Sequence, residues 1–343
     1  MRYRTFGRSG LRVSELVLGA MTFGHDERWG GSWGTPPEQC RALVEAYAEA
    51  GGNVIDTANR YTGGHSEEIV GEAVAGERER FVLSTKYTVT NDGRDPNASG
   101  NHRKSLVRSL DQSLRRLRTD HVDILWVHIW DAGTPIEETV RALDDAVRAG
   151  KVLYVGISDT PAWVVARGNT LAELRGWTPF TGLQVPYSLA QREAERELLP
   201  MAAAFGMAVT AWSPLAGGLL TGKYLDGGTV DPSSRLAGSD ISERDQAIAR
   251  EVAAVAAELG VSSAQTAIAW TRAHSPDVHP IVAARTVGQL RDNLGAVDVV
   301  LPDAAVARLD AVSAIDAGFP TDMIAGTRGF VYGPVGELVD VPR

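Results

Sequence analysis

The sequence predicts an α/β protein, a closed (β/α)8 TIM barrel with an N-terminal β-hairpin and long βα loops. Three observations carry that expectation. Eight short runs rich in Val, Ile and Leu recur along the 343 residues. Most are continuous and not alternating, the pattern of strands covered on both faces of a parallel sheet. Segments of helical spacing lie between them, and the strand ends fall roughly 30 residues apart, about the size of one βα unit. No linker of biased composition divides the chain, so 1–343 reads as a single domain, although about 150 residues per domain would suggest two.

Taken in order, Arg2–Val13 reads as a two-stranded hairpin turning at Gly7-Arg8-Ser9-Gly10. The strand candidates are LVLG (Leu16–Gly19), NVID (Asn53–Asp56), FVLSTK (Phe81–Lys86), VDILWVH (Val122–His128) and VLYVGIS (Val152–Ser158). GLQ (Gly182–Gln184), MAVTAW (Met207–Trp212) and HPIVAA (His279–Ala284) complete the eight. Thr35–Ala50 opens with Thr and two prolines, carries Leu43, Val44 and Tyr47 on one stripe and stops at Gly51-Gly52, so both helix boundaries have a mechanism. Asn101–Arg118 has Leu106, Leu110, Leu114 and Leu117 at the same spacing, and Pro135–Ala149 has Ile136, Val140, Leu143 and Val147. Arg192–Phe205, Glu243–Leu259 and Val287–Val297 continue the series. Pro214–Asp240, rich in Gly and Ser, is too long for an ordinary βα loop and is a candidate functional loop.

Composition excludes several classes. With 44% hydrophobic and 22% charged residues the chain can bury a large core under a solvated surface, which rules out a disordered or fibrous protein. Lys+Arg 34 against Asp+Glu 43 gives a charge of −9, which argues against nucleic-acid binding. No apolar stretch approaches the roughly 20 residues that span a bilayer. MRYRTFGRSGLRVSEL lacks the apolar core of a signal peptide, so a cytoplasmic location is expected. Cys40 is the only cysteine and no His-x-His occurs, so neither an internal disulfide nor a metal site is expected.

Barrel enzymes carry their reactive groups at the carboxyl ends of strands. Those ends hold Asp56 with nearby Tyr61, Lys86, His128, Ser158 with Asp159, Gln184, and Trp212 with Ser213. Singly these have bland readings: a turn cap, a loop aromatic, a core histidine. Lys86 is harder to dismiss. It is one of four lysines in a chain that otherwise uses arginine, and it ends a buried run where an ammonium needs a partner. Asp56, at the end of the neighbouring run, is the obvious one. Gly217–Lys223 has the spacing of a phosphate-binding loop up to its lysine, but Tyr224 stands where that motif needs Ser or Thr. No G-x-G-x-x-G is present.

Seven segments in order resemble the aldo-keto reductase family, in particular the branch that includes the voltage-gated potassium channel β-subunits. They are NVIDTANRYTGGHSEEIVGEAV (Asn53–Val74), STK (Ser84–Lys86), DILWVHIWD (Asp123–Asp131) and VGIS (Val155–Ser158). LQVPYSLAQREAERELLP (Leu183–Pro200), AWSPLAGGLLTGKY (Ala211–Tyr224) and AARTVGQLRDN (Ala283–Asn293) complete the set. The resemblance implies a barrel that binds NADP(H) without a Rossmann fingerprint and a catalytic tetrad of Asp56, Tyr61, Lys86 and His128. Tyrosine, with a pKa of about 10, is a slow acid at neutral pH. A neighbouring Lys86 ammonium lowers that pKa, an ionised Asp56 keeps Lys86 charged, and a neutral His128 orients the carbonyl.

The resemblance also implies the cofactor contacts. Gly19, Ala20 and Met21 would run beside the ribose and nicotinamide, with Tyr187 near the ring. Ser158, Asp159 and Gln184 would hold the carboxamide, although Asp159 stands where the family usually has Asn and cannot, when ionised, donate to the amide oxygen. Trp212, Ser213, Pro214, Leu215, Gly217 and Lys223 would wrap the pyrophosphate, and Arg235 would lie over the adenine. Ala283, Arg285, Gln289, Asp292 and Asn293 would surround the adenosine, with Arg285 on the 2′-phosphate. The substrate, a small-molecule carbonyl compound, would meet Tyr61, His128, Trp29, Trp33 and Trp130, with the tail Ile324–Tyr332 as a further wall. The expected activity is reduction of aldehydes or ketones by NADPH. The alternative is an NADPH-binding regulatory module with little turnover, and a Schiff-base aldolase using Lys86 is a third. The channel-related branch also implies a homo-oligomer.

Overall fold

The computed structural model describes residues 1–25, 34–90, 92–225, 235, 236 and 238–338. Its centre is a closed barrel of eight parallel strands: β1 (Val17–Gly19), β2 (Val54–Asp56), β3 (Val82–Tyr87), β4 (Val122–Val127), β5 (Val152–Ser158), β6 (Phe180–Pro186), β7 (Ala208–Trp212) and β8 (Val278–Val282). Each strand pairs with its neighbours in sequence, and β8 closes onto β1. Every predicted run becomes one of these strands, which makes the fold the expected (β/α)8 barrel.

Helices α1 (Pro37–Glu49), α2 (His65–Val74), α3 (Arg103–Leu117), α4 (Ile136–Arg148), α5 (Ala162–Arg175) and α6 (Leu198–Phe205) alternate with the first strands. α7 (Glu243–Leu259) and α8 (Ser263–Ala273) lie between β7 and β8, and α9 (Val287–Leu294) and α10 (Asp303–Val312) come after β8. α9 packs on α1, which closes the outer ring. Two short helices, α11 (Thr321–Gly326) and α12 (Arg328–Tyr332), follow, and a 3-10 segment (Gly333–Leu338) ends the described chain.

Two of these helices lack the stripe that betrays a helix. α5 carries exposed Trp163 and Leu174 as well as buried Val164 and Val165, so its apolar residues do not share one face. α8 is buried nearly all round, so it shows no polar face, although Ser262 and Gln265 form a capping box at its start. α2 and α10 were likewise not expected. Conversely, the span Arg192–Phe205 is helical only from Leu198, its first part being a 3-10 turn at Glu193–Glu195.

The hairpin strands Tyr3–Thr5 and Arg12–Ser14 pair antiparallel beneath the barrel. Phe6, from the turn, enters the lower core and meets Trp126 edge-on at 6.2 Å, among Val13, Val17, Val54, Val82, Ile124 and Ala208. Space for these two rings is made by glycines. A Cβ on Gly156 would lie 2.3 Å from the Trp126 ring, and one on Gly182 would lie 2.4 Å from Phe6. The lower end is thus plugged, leaving the other mouth for ligands.

His279 sits in this lower core, 1% exposed, with Nδ1 3.1 Å from the Ser14 carbonyl oxygen. A carbonyl can only accept, so Nδ1 carries the hydrogen. Burial pushes the His279 pKa down from 6.5 to about 4, against the Ser14 bond that raises it. A histidine depressed on folding stabilises the protein above the unfolded value and loses that contribution as pH falls through the folded one. Between pH 6.5 and 4 the wild-type protein is expected to lose up to about 3 kcal/mol that His279→Gln does not lose. Urea unfolding at both pH values checks this, and parallel slopes for the two proteins exclude it.

Among the described residues no single helix is long and apolar enough to cross a membrane. α7 and α8 reach that composition only together, bent by 99° and with buried core faces.

Candidate active site

Asp56 is the last residue of β2 and pairs in register with Ser84 of β3. Lys86 stands two residues beyond Ser84, and side chains two apart on a strand share a face. The ammonium donates to Asp56 Oδ2 and, at 2.8 Å, to the Thr57 carbonyl oxygen. Asp56 Oδ1 accepts from Ser84 Oγ at 2.6 Å and from Gln184 Nε2 at 3.2 Å. Three further partners therefore fix a buried ion pair whose two side chains are 0% and 4% exposed. Burial alone lowers the Lys86 pKa, but the Asp56 charge, with Tyr61 and the hydrogen bonds, outweighs it and the net direction is up.

Tyr61 opens a 3-10 turn (Tyr61–Gly64) in the loop after β2. Its ring centroid lies 4.8 Å from Lys86 Nζ and 5.7 Å from the His128 ring, edge-on at 82°. Thr62, beside it, has the left-handed φ of 46° and is pinned by a 2.7 Å bond from its hydroxyl to the Phe23 carbonyl oxygen. Burial raises the Tyr61 pKa, and although Lys86 lowers it as expected, burial wins. The resting phenol is thus above its ordinary value, a correction to the expectation of a lowered one. His128, directly after β4, is pushed down to about 3 by burial and then by the Lys86 charge, and so is neutral. Its Nδ1 is buried without a hydrogen-bond partner.

A second ionic group, not anticipated from sequence, backs the Tyr61 loop. Arg116 of α3 donates to Glu67 Oε2 at 3.0 Å and to the Asn59 carbonyl oxygen at 3.2 Å. Thr85 donates to Glu67 Oε1 at 2.6 Å. Glu67 is fully buried, and burial lifts its pKa against these donors. The clamp ties α2 and α3 to the segment that carries Tyr61.

Above these residues lies a cavity of about 680 Å³, within the range of small-molecule and cofactor sites. Gly19, Met21, Asp56, Tyr61, His128, Ser158, Asp159, Gln184, Trp212, Ser213, Pro214, Leu215, Gly217, Lys223, Arg235, Ala283, Arg285, Gln289, Asp292 and Asn293 all line it. Lys86 does not; it sits behind Asp56 and Tyr61, fully buried. Ala20 is also buried behind the wall, its carbonyl oxygen accepting from Ser66 Oγ at 2.7 Å. Sequence reasoning missed Gly218, Thr221, Ser262, Ser263 and Ala264 in the lining. The Ser262-x-x-Gln265 capping signature was the available signal for the last three.

Several expectations do not match their surroundings. Trp130 lies outside the cavity lining, 38% exposed, edge-on to Trp163 at 6.1 Å. Tyr187 is buried against Trp270 and donates to Glu195 Oε1 at 2.8 Å, so it faces away. Trp212 supplies the aromatic wall instead. Ile324–Tyr332 is absent from the lining. Arg235, expected over the adenine, lines the cavity, and burial lowers its pKa. Trp29 and Trp33 lie outside the described residues.

Left-handed backbone at Ser213, Ala216, Gly217 and Gly218 curls the chain after β7 into a cradle. A Cβ on Gly218 would stand 3.0 Å from Lys223 Nζ, so the lysine folds back over that glycine. The segment Ala216–Thr221 is a 3-10 turn and not the helix that a phosphate-binding loop introduces. At the far end Thr286 caps α9, Gln289 accepts from the Arg285 backbone N–H at 3.0 Å, and Asp292 accepts from Ser262 and Gln265.

A sequence model of the aldo/keto reductase family matches residues 15–314, and the chain belongs to that family. It is 37% identical to the aldo-keto reductase ausK of Aspergillus calidoustus over 94% of this chain and 85% of the relative. The norsolorinic acid reductase stcV of Emericella nidulans is 39% identical, over 91% of this chain and 81% of the relative. The putative aryl-alcohol dehydrogenase AAD14 of Saccharomyces cerevisiae is 37% identical over 92% and 87%. These are named as oxidoreductases and not as channel subunits, so the narrower branch expected from the motifs is not shown.

Proposed function

We propose that the protein is an NADP(H)-dependent oxidoreductase interconverting aldehydes or ketones and their alcohols, with Tyr61 as general acid. The observation that carries this reading is the Asp56–Lys86 pair set against Tyr61 and a neutral His128 at one end of a large cavity. The donor set fits a dinucleotide phosphate. Lys223, Arg235 and Arg285 are cations in the lining, and the left-handed cradle after β7 turns backbone toward it. Ser158, Asp159 and Gln184 would hold the carboxamide and Trp212 would wall the ring. The bound dinucleotide's contribution is the hydride delivered to the carbonyl carbon. The chain's own residues supply the rest. His128 holds the carbonyl oxygen, Tyr61 Oη gives up its proton to that oxygen as charge develops, and Lys86 stabilises the phenolate left behind.

A Schiff-base role for Lys86 is disfavoured, since that chemistry needs a lowered lysine pKa and Asp56 raises this one. The relatives' names make an aryl aldehyde and its alcohol the first substrate pair to try. Fluorescence titration with NADPH and NADH, followed by turnover on a panel of aryl aldehydes, tests the reading; binding without turnover leaves the regulatory alternative. Arg285→Ala is expected to weaken NADPH at least tenfold and NADH less than threefold, as loss of a phosphate-binding guanidinium should. Equal losses would remove Arg285 from the 2′-phosphate.

A further inference from the structure

Asp159 is an unusual wall residue. It comes directly after β5 with a left-handed φ of 43°, and its backbone is held on both sides, its N–H donating to Gln184 O at 3.3 Å and its carbonyl accepting from Trp130 N at 3.4 Å. The carboxylate accepts from Trp212 Nε1 at 3.1 Å, so the side chain is aimed along the cavity wall that Trp212 forms. Among the described residues three carboxylates line the cavity. Asp56 is neutralised by Lys86, and Asp292 is tied to Ser262 and Gln265 at the far end. Asp159 makes no ion pair among the described residues, and its charge is felt at both Tyr61 and Lys86.

We propose that the Asp159 carboxylate sets the balance between oxidised and reduced dinucleotide, favouring binding of the oxidised form. This rests on the NADP(H) reading above. Hydride donor, carbonyl carbon and Tyr61 Oη must meet for the reaction to occur, so the reacting ring works within the field of any charge that acts on Tyr61. The oxidised ring carries one more positive charge than the reduced ring. A carboxylate in a cavity of low effective dielectric discriminates between them by simple Coulomb attraction. The Trp212 bond fixes where that charge sits.

The test is the ratio of dissociation constants, Kd for NADP⁺ over Kd for NADPH, by fluorescence titration of wild type and Asp159→Asn at pH 8. Asn keeps the shape, accepts from Trp212 and tolerates left-handed backbone, so the fold should survive. The ratio is expected to rise about tenfold in the variant. Because both ligands share the same phosphates and adenosine, Lys223, Arg285 and the far end cancel in the ratio. The groups that act on Asp159 and do not cancel are Trp212, Ser158, Lys86 and Tyr61, and His128 and Arg235 line the same cavity. Burial raises the Asp159 pKa, so on acidification the wild-type ratio should climb toward that of the variant while the variant's stays flat. An unchanged ratio in Asp159→Asn with intact binding overturns this inference alone. Failure of the wild-type protein to bind either dinucleotide overturns the NADP(H) reading as well.

Discussion

Tyr61→Phe is expected to lower kcat/KM for carbonyl reduction by about 10³, the scale of a lost general acid, while Kd for NADPH stays within about twofold. The substitution removes one hydroxyl and leaves the ring, so the edge-on contact with His128 and the approach of Lys86 to the ring face persist. The thermal midpoint should therefore hold. The pH profile gives a second reading. With burial raising the phenol above its ordinary value, Tyr61 is protonated throughout the neutral range. Reduction needs that protonated form and should be flat through neutrality, falling only on the alkaline side. Alcohol oxidation needs the phenolate and should rise with pH over the same range. His128, held near 3, contributes no inflection between pH 5 and 8. A Phe variant with most of its kcat would take Tyr61 out of the mechanism.

The catalytic end was readable because a barrel strand dictates where its last residue emerges. Once Asn53–Asp56, Phe81–Lys86 and Val122–His128 are taken as neighbouring barrel strands, Asp56, Lys86 and His128 must come out at one mouth. The barrel was legible because eight continuous apolar runs alternate with helices, and the rival open doubly wound sheet lacks its Gly-rich turn here. Helices without a one-sided stripe, α5 and α8, were not. Nor was the Glu67–Arg116 clamp, which joins residues 49 apart through polar groups that leave no periodic trace. Trp130 shows the limit of proximity in sequence. It is two residues from His128, but the chain has left the strand by then and turns its indole outward onto Trp163. Tyr187 fails differently, because its hydroxyl finds Glu195 on the far side of the loop.

Lys86→Met should cost both activity and fold. The side chain is enclosed, and Met roughly matches its volume, so little is lost in packing. What remains is Asp56, 3% exposed, with Ser84 and Gln184 as donors but no counter-charge. Removing one member of a buried ion pair costs about 3–5 kcal/mol, because the survivor's desolvation is no longer offset. The double variant Asp56→Asn/Lys86→Met removes that stranded charge and should recover part of the stability, measured as the urea midpoint, with no recovery of turnover. The difference between the two variants separates a structural pair from a catalytic one. The sign with pH is also fixed. Lys86 is raised above 10.5 in the folded protein, so its contribution is complete below that value and is lost as pH climbs through the folded one. Wild type should lose stability on that alkaline limb more steeply than Lys86→Met. A single variant as stable as wild type to within about 1 kcal/mol would mean that Asp56 takes up a proton at little cost, and the ammonium beside Tyr61 would then have no fixed carboxylate to hold it in place.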